Sequence, residues 1–250
     1  MAIKTFRADL HVHTVLSPCA DVEMIPPLIV EAALDLGISL IAITDHNSSA
    51  NIQAVQKAAV GTPLIVLPGM ELQTREDIHS LCLFDNLDQI FAFQRLIDPT
   101  FPKIMNQPDH FGGQYVVDET GEFIRHEDRL LLTSSSLSLN EASAIVSDLK
   151  GLFIPAHINR KAFGLIESLG FLPPDMDFAA VEISRHITPQ QARIDIPSIQ
   201  NIPVLQNGDV HRLDEYLGSL HLSLASPTIA EIILALKCES GRNFEIRHVL

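Results

Sequence analysis

Five short apolar runs in this chain each lead into residues able to hold a metal ion, and that repetition limits the fold more than any other feature. The first is Asp9-Leu10-His11-Val12-His13. Leu40-Ile41-Ala42-Ile43 then runs into Thr44-Asp45-His46, and Leu64-Ile65-Val66-Leu67 into Gly69-Met70-Glu71. Leu152-Phe153-Ile154-Pro155 leads to Ala156-His157, and Pro203-Val204-Leu205 to Asn207-Gly208-Asp209-Val210-His211. Uninterrupted apolar runs of this length, without polar alternation, are strands buried on both faces, as in a sheet covered by helices. Metal-competent residues at the carboxyl ends of successive buried strands are the pattern of a barrel-type α/β enzyme, whose site is built from the loops on that face.

Side chains alternate along a strand, so His11 and His13 leave on one side with Asp9 beside them. Imidazole is a common metal ligand, and a neighbouring carboxylate that accepts the other ring N–H fixes the tautomer. Asp9 is expected to be that partner. Asp209 and His211 repeat the spacing. Gly69 permits a sharp bend that turns Glu71 to the rim, and His79 opens the run Ser80 to Phe84. Taken singly, Glu71 reads as a surface carboxylate and His79 as a strand-end histidine.

Between these runs lie helical segments. Pro26-Pro27 opens one that Gly37 closes, and Asn47 or Ser48 is expected to cap another that runs through Ala59. Helical spacing returns from Asp88 to Ile97, and Ser138-Leu139-Asn140-Glu141 is a capping box for a helix to Leu149. Ser226-Pro227 precedes a last helix, Thr228 to Cys238, and Phe244 to Leu250 reads as a closing strand or tail. The pattern breaks from Asp98 to Arg129, where prolines and glycines surround a predicted hairpin of 114–117 and 122–125. An irregular insertion of that length in a barrel is expected to be a lid or binding loop. Its His110 and His126 read as exposed. Arg160-Lys161 after His157 suits a phosphate or carboxylate, with Arg185 and Arg212 as further anion-binding candidates.

With 250 residues and 46% hydrophobic content, one α/β domain over the whole length is expected. No apolar run is long enough to cross a bilayer and no signal-peptide core is visible, which points to the cytoplasm. Three cysteines at wide spacings argue against a disulfide framework; Cys82 and Cys238 sit in apolar runs and read as core. The formal charge of −14 disfavours a polymeric nucleic acid as partner, since phosphate neutralisation holds such ligands. Carboxylates gathered around dications explain part of that charge.

Together the motifs Asp9-Leu10-His11-Val12-His13-Thr14, Ile43-Thr44-Asp45-His46-Asn47, Gly69-Met70-Glu71 with His79, and Asp209-Val210-His211, with His157 before the last, resemble the polymerase and histidinol phosphatase (PHP) family. The likeness is to stand-alone metal-dependent phosphoesterases whose first motif continues Ser-Pro-Cys-Ala-Asp. It implies a distorted TIM-like barrel of seven βα units and two or three divalent ions, zinc, manganese or iron. Carried over, one ion would be held by His11, His13, Glu71 and Asp209, and a second by Glu71, His79 and His157. The third would use His46, His211 and a residue of the loop after His13. Counting back from Pro26 selects Asp21, the preferred residue, and counting forward from His13 selects Cys19. A carboxylate suits manganese or iron as well as zinc, whereas a thiolate would bias the site toward zinc. Asn159 stands where some relatives carry an aspartate.

The resemblance implies hydrolysis of a small phosphomonoester, histidinol phosphate-like or a nucleotide, by a hydroxide bridging two ions. Arg160, with Arg185 or Arg212, would take up phosphoryl charge, and Asp45 is a candidate to protonate the leaving group. Phe111, Tyr115 and Phe163 are the aromatics available for stacking. Two rivals remain. A metal-dependent amidohydrolase also opens with His-x-His, but the lysine such enzymes commonly place at a later strand end has no counterpart among the rim residues. A non-catalytic metal- or nucleotide-binding module is the other.

Overall fold

In the structure, a computed structural model that describes residues 2–247, the first apolar run is the strand β1 (Lys4–Val12). It leads to α1 (Pro26–Asp35), β2 (Leu40–Ile43), α2 (Ile52–Ala58) and β3 (Ile65–Gln73). Next come β4 (His79–Leu83), α3 (Leu87–Ile97), the short α4 (Pro108–Phe111) and the hairpin of β5 (Tyr115–Val117) and β6 (Phe123–His126). There follow α5 (Leu139–Asp148), β7 (Leu152–Pro155), α6 (Leu165–Leu169), β8 (Val181–Ile183), α7 (Pro189–Asp195), β9 (Val204–Gln206), β10 (Leu220–Leu224), α8 (Ile229–Leu236) and β11 (Asn243–Ile246).

The main sheet has the order β11-β10-β1-β2-β3-β4-β7, and β8 pairs with β9. Strands β1, β2 and β3 are parallel, and so are β8 and β9. The sheet curls until its sides meet. On one side Ile158 N–H donates to Glu182 O at 2.9 Å; on the other Val210, just past β9, bridges to Val12. This is the expected TIM-like α/β architecture. Residues of one strand parity, such as Leu10, Leu40, Leu67, Leu81 and Leu205, pack together with β10 and α8. Those of the other parity, such as Ile41, Val66, Cys82 and Val181, pack on the apolar stripes of α1, α2, α3 and α5.

The regular βα alternation fails at β4, which is antiparallel to both β3 and β7. That reversal brings the first residue of β4 to the rim where parallel strands bring their last, so His79 pairs opposite Gln73 at the end of β3. Strand β10 carries no rim residue and was not expected; it pairs antiparallel with β1 and passes the sheet on to β11. Of the closing segment expected over Phe244 to Leu250, positions 248–250 lie outside the described residues.

Local expectations meet the structure unevenly. The capping box at Ser138 forms, with the side chain accepting from Glu141 N–H. Asn47 does not cap α2, which starts at Ile52. Its side chain instead donates to Leu131 O and Thr133 O and accepts from Gln73 N–H, pinning the exit of the 98–129 segment to the rim. The hairpin in that segment packs Val116 on Leu16 and Leu131, and Asn51 bonds both Tyr115 O and Val117 N–H. Cys82 is buried, whereas Cys238 is exposed, because α8 ends before it and its backbone turns left-handed. Among the described residues no helix is long and apolar enough to cross a membrane.

Gly69 is needed for close approach and not for a bend, since β3 runs straight through it. A β-carbon there would meet Leu83 Cδ2 and Thr44 Cγ2, both at 2.9 Å, and Ile43 O at 3.0 Å. Gly69→Ala is therefore expected to lower stability by about 1–3 kcal/mol, read as a lower urea midpoint with an unchanged denaturant slope.

Candidate metal centre

The carboxylate of Glu71, 1% exposed, is ringed by five imidazoles from four other strands and their ends. Its Oε1 lies 2.9 Å from His79 Nδ1, 3.0 Å from His157 Nε2 and 3.3 Å from His11 Nε2. Its Oε2 lies 3.0 Å from His46 Nδ1 and 3.3 Å from His13 Nε2. Asp209 closes the group from the loop after β9, its Oδ1 3.3 Å from His11 Nε2, 3.6 Å from His13 Nε2 and 3.5 Å from His211 Nδ1. His157 and Asp209 reach these places on backbones with φ of 29° and 51°, conformations costly for residues other than glycine and concentrated at functional sites.

Three sets of donor atoms lie within 4.8 Å of one another: His11, His13, Glu71 and Asp209; His46, Glu71 and His79; and His13, His46 and His211. His11 Nε2, His13 Nε2, His157 Nδ1 and Glu71 Oε2 are buried without a hydrogen-bond partner. Buried polar atoms are normally satisfied, and imidazole nitrogen with carboxylate oxygen is a donor set suited to zinc, iron or manganese. The cluster fits divalent ions.

Around it stands a layer that fixes the imidazoles. His11 Nδ1 lies 3.0 Å from Glu182 Oε2, and Glu182 also accepts the His157 backbone N–H at 3.0 Å and Asn207 Nδ2 at 2.8 Å. With Nδ1–H held there, the lone pair of His11 Nε2 faces the centre. Glu182 thus takes the role expected of Asp9. Asp9 instead accepts backbone N–H groups from Gly208, Leu217 and Gly218 and ties down the loops after β9 and before β10. Glu182 was missed because it sits mid-strand in an apolar run; a charge at a position buried on both faces was the available signal. His13 Nδ1 lies 2.9 Å from Ser17 Oγ, which donates to Asp45 Oδ1 at 2.7 Å. Asp45 also accepts Thr14 N–H and Oγ1–H, each at 2.7 Å, so it faces the loop after β1 and not the reacting centre.

Protonation follows this packing. Burial pushes the Glu71 carboxyl up, but the imidazoles of His79, His11 and His46 packed around it hold it well below the carboxylate range. Burial opposes a charged His46, yet Glu71 and the neighbouring Cys19 raise it to about 9. Burial keeps His79 neutral, at about 4, and burial with the charge of His13 lowers His211 to about 3. Burial also lifts Asp9 to about 6 against the pull of its backbone donors.

Two adjoining cavities open on the cluster. One of about 220 Å³ is walled by His46, Glu71, His79, His157 and His211 with Leu132 and Phe163, whose ring stacks on His79 at 4.4 Å. The other, of about 400 Å³, carries Arg160, Arg185, His186 and Arg212. Arg160 reaches Asp209 Oδ2, while Arg185 is held by Glu215 through Oε1 and the backbone carbonyl. Cys19 lines both cavities; the Asp21 side chain accepts Glu23 N–H and lines neither. His110 and His126 are exposed, and of the three candidate stacking aromatics only Phe163 borders these cavities.

The PHP domain family model matches residues 9–159, more than half of the chain. The chain belongs to the PHP family. No curated protein matches it. Among solved structures, the PHP chain is similar to the lesion-specific endonuclease PfuEndoQ from Pyrococcus furiosus, with a TM-score of 0.75 and 20% identity over 96% of this chain and 58% of that one. It thus spans little more than half of the endonuclease. A putative metal-dependent phosphoesterase from Bifidobacterium adolescentis matches with a TM-score of 0.55 and 18% identity over 92% of this chain and 96% of that one. An amidohydrolase from Chromobacterium violaceum with bound sulfate matches at 0.58 and 16% over 92% and 96%. Endonuclease Q is also seen with a 27-mer duplex carrying an abasic lesion at its active site, with a TM-score of 0.72 to this chain, so the expectation against a polynucleotide partner here rests on charge alone.

A glutamine at position 182 would offer one acceptor oxygen to three donors, His11 Nδ1, His157 N and Asn207 Nδ2. Glu182→Gln is expected to weaken divalent-metal affinity about 10–100-fold while the fold persists, as read by calorimetric titration and circular dichroism.

Proposed function

We propose that this PHP protein is a metal-dependent phosphoesterase whose substrate is a small phosphorylated molecule reacting at a phosphomonoester. The observation that carries the reading is a buried Glu71 carboxylate shared by five imidazoles, in a cluster whose His157 and Asp209 line a cavity that also carries Arg160, Arg185 and Arg212. His11, His13, Glu71 and Asp209 would hold one divalent ion and Glu71, His79 and His157 a second, with His46 and His211 available to a third. Divalent ions bound there would supply a nucleophile at neutral pH and offset charge on the phosphoryl oxygens.

The protein's own groups do the rest. Ser17 and Glu182 hold the Nδ1 sides of His13 and His11, so both rings offer Nε2 inward without rearrangement. Arg160, beside Asp209, orients phosphoryl oxygens, and the exposed Arg212 at the cavity mouth draws the anion in. Arg185 is already matched by Glu215 and shapes the wall. Asp45 acts through Ser17 as a positioning residue in place of the proton donor expected for it. A cavity of about 400 Å³ is the size of a small-molecule site.

A phosphodiester in a polynucleotide is the second reading, supported by the likeness to an endonuclease over 96% of this chain, with the charge of −14 against it. The amidohydrolase reading has less support, because no lysine lines either cavity. The test is a panel of phosphomonoesters, oligonucleotides, cyclic amides and dipeptides, assayed with manganese and with zinc. Metal-dependent phosphate release from a small monoester is expected, reduced to background in His13→Ala and about a hundredfold in kcat/KM in Arg160→Ala. Wild-type turnover in His13→Ala would overturn the scheme.

A further inference from the structure

Arg160 lies on both cavities, so a phosphoryl group held beside it has two directions in which to place the rest of its molecule. The larger cavity is walled by charged side chains, Glu182, Arg185, Arg212 and Glu215 among them, and an uncharged ring pressed against these would strip them of water. The smaller one, of about 220 Å³, adds Gln73, Leu132 and Phe163 to the imidazoles. Its walls include an aromatic face.

Phe163 is held firmly. Its backbone is left-handed, with φ of 60°, a conformation costly for a bulky residue, and its carbonyl accepts the His79 N–H at 3.0 Å. The ring centroid lies 4.4 Å from that of His79, at an interplanar angle of 2°. One face is thus covered, yet the residue is 40% exposed, so the opposite face and the edge are open. A β-carbon on Gly164 would lie 2.1 Å from Arg160 O, so the turn that carries both Arg160 and Phe163 closes tightly on a glycine. Gln73, 7% exposed, donates its Nε2 hydrogens to Asp77 at 3.1 Å and to Ser134 Oγ at 3.0 Å, and among the described residues nothing donates to its Oε1. That oxygen is left as an acceptor for a guest.

We infer that the smaller cavity receives the alcohol released from the substrate, and that this alcohol carries a nucleobase-sized nitrogen heterocycle stacked on the open face of Phe163 and donating an N–H to Gln73 Oε1. The inference rests on the phosphoesterase reading above and narrows it. Stacking tolerates many rings but requires a flat π-face, which a glycerol or sugar phosphate lacks. Gln73 adds the finer choice, because an acceptor left unpaired when a guest closes over it is costly. Phe163 is then a specificity-determining residue, backed by the ring of His79.

The test compares adenosine monophosphate with glycerol phosphate, and with purine riboside monophosphate, which lacks the exocyclic amine. Manganese-loaded wild type should prefer the adenine ester, and the ratio of its kcat/KM to that of the glycerol ester should fall about tenfold in Phe163→Ala and persist in Phe163→Trp. Taking the ratio cancels any loss that reaches both esters through His79. Gln73→Met should erase the preference for the amine-bearing purine. The chain contains no tryptophan, so Phe163→Trp also installs a single fluorophore in the cavity, which in the zinc-loaded protein adenosine should quench saturably and ribose should not. Phosphate release with an unchanged ratio in Phe163→Ala, or without saturable quenching by adenosine, would overturn the inference and leave the phosphoesterase reading standing. An amine preference that survives Gln73→Met would overturn the part given to Gln73. Release from no ester would overturn that reading and the inference with it.

Discussion

A carboxylate buried to 1% exposure is the condition on which this architecture turns. Removing such a charge from water is costly unless opposite charge surrounds it, and Glu71 meets that demand with imidazoles from β1, β4 and the ends of β2 and β7. The five donors come from four strands, two of them from β1 and its end. The curl that closes the sheet and the reversal of β4 bring all of them within reach of the same two oxygens. A flatter sheet would leave Glu71 with two or three partners and an unmet charge.

Behind the imidazoles stand three further buried carboxylates, of which Glu182 bonds the His11 ring. Asp9 gathers backbone N–H groups from Gly208, Leu217 and Gly218; Asp45 gathers Thr14 and Ser17; Glu182 gathers His11, His157 and Asn207. Each spans segments distant in sequence, and each accepts at least three hydrogen bonds through its two oxygens, which the single acceptor oxygen of a neutral amide would not match. The rim is therefore held by hydrogen bonds that do not pass through the centre. That layer preorganises the side chains of the cluster.

Similar architectures carry an endonuclease, a putative phosphoesterase and an amidohydrolase, so the barrel does not choose the reaction. Arg160 and Arg212 line the larger cavity beside Glu182, Asp209 and Glu215, on a chain whose formal charge is −14. The second cavity is walled in part by Phe163, whose backbone is left-handed and whose ring lies parallel to His79.

Much of this was legible before folding. Apolar runs ending in histidine, aspartate and glutamate named the strands and the residues that meet at Glu71, because burial on both faces and termination at a rim both leave marks in composition. What the linear order could not show is who partners whom. Asp9 lies next to His11 in sequence yet serves Gly208, while Glu182, 171 positions away, holds the ring. The tertiary structure also decided the direction of β4, the outward turn of Asp21 and the presence of Cys19 between the cavities. Residue type and spacing determine which side chains are able to bind; backbone direction, set by long-range strand pairing and loop hydrogen bonds, decides where each one points.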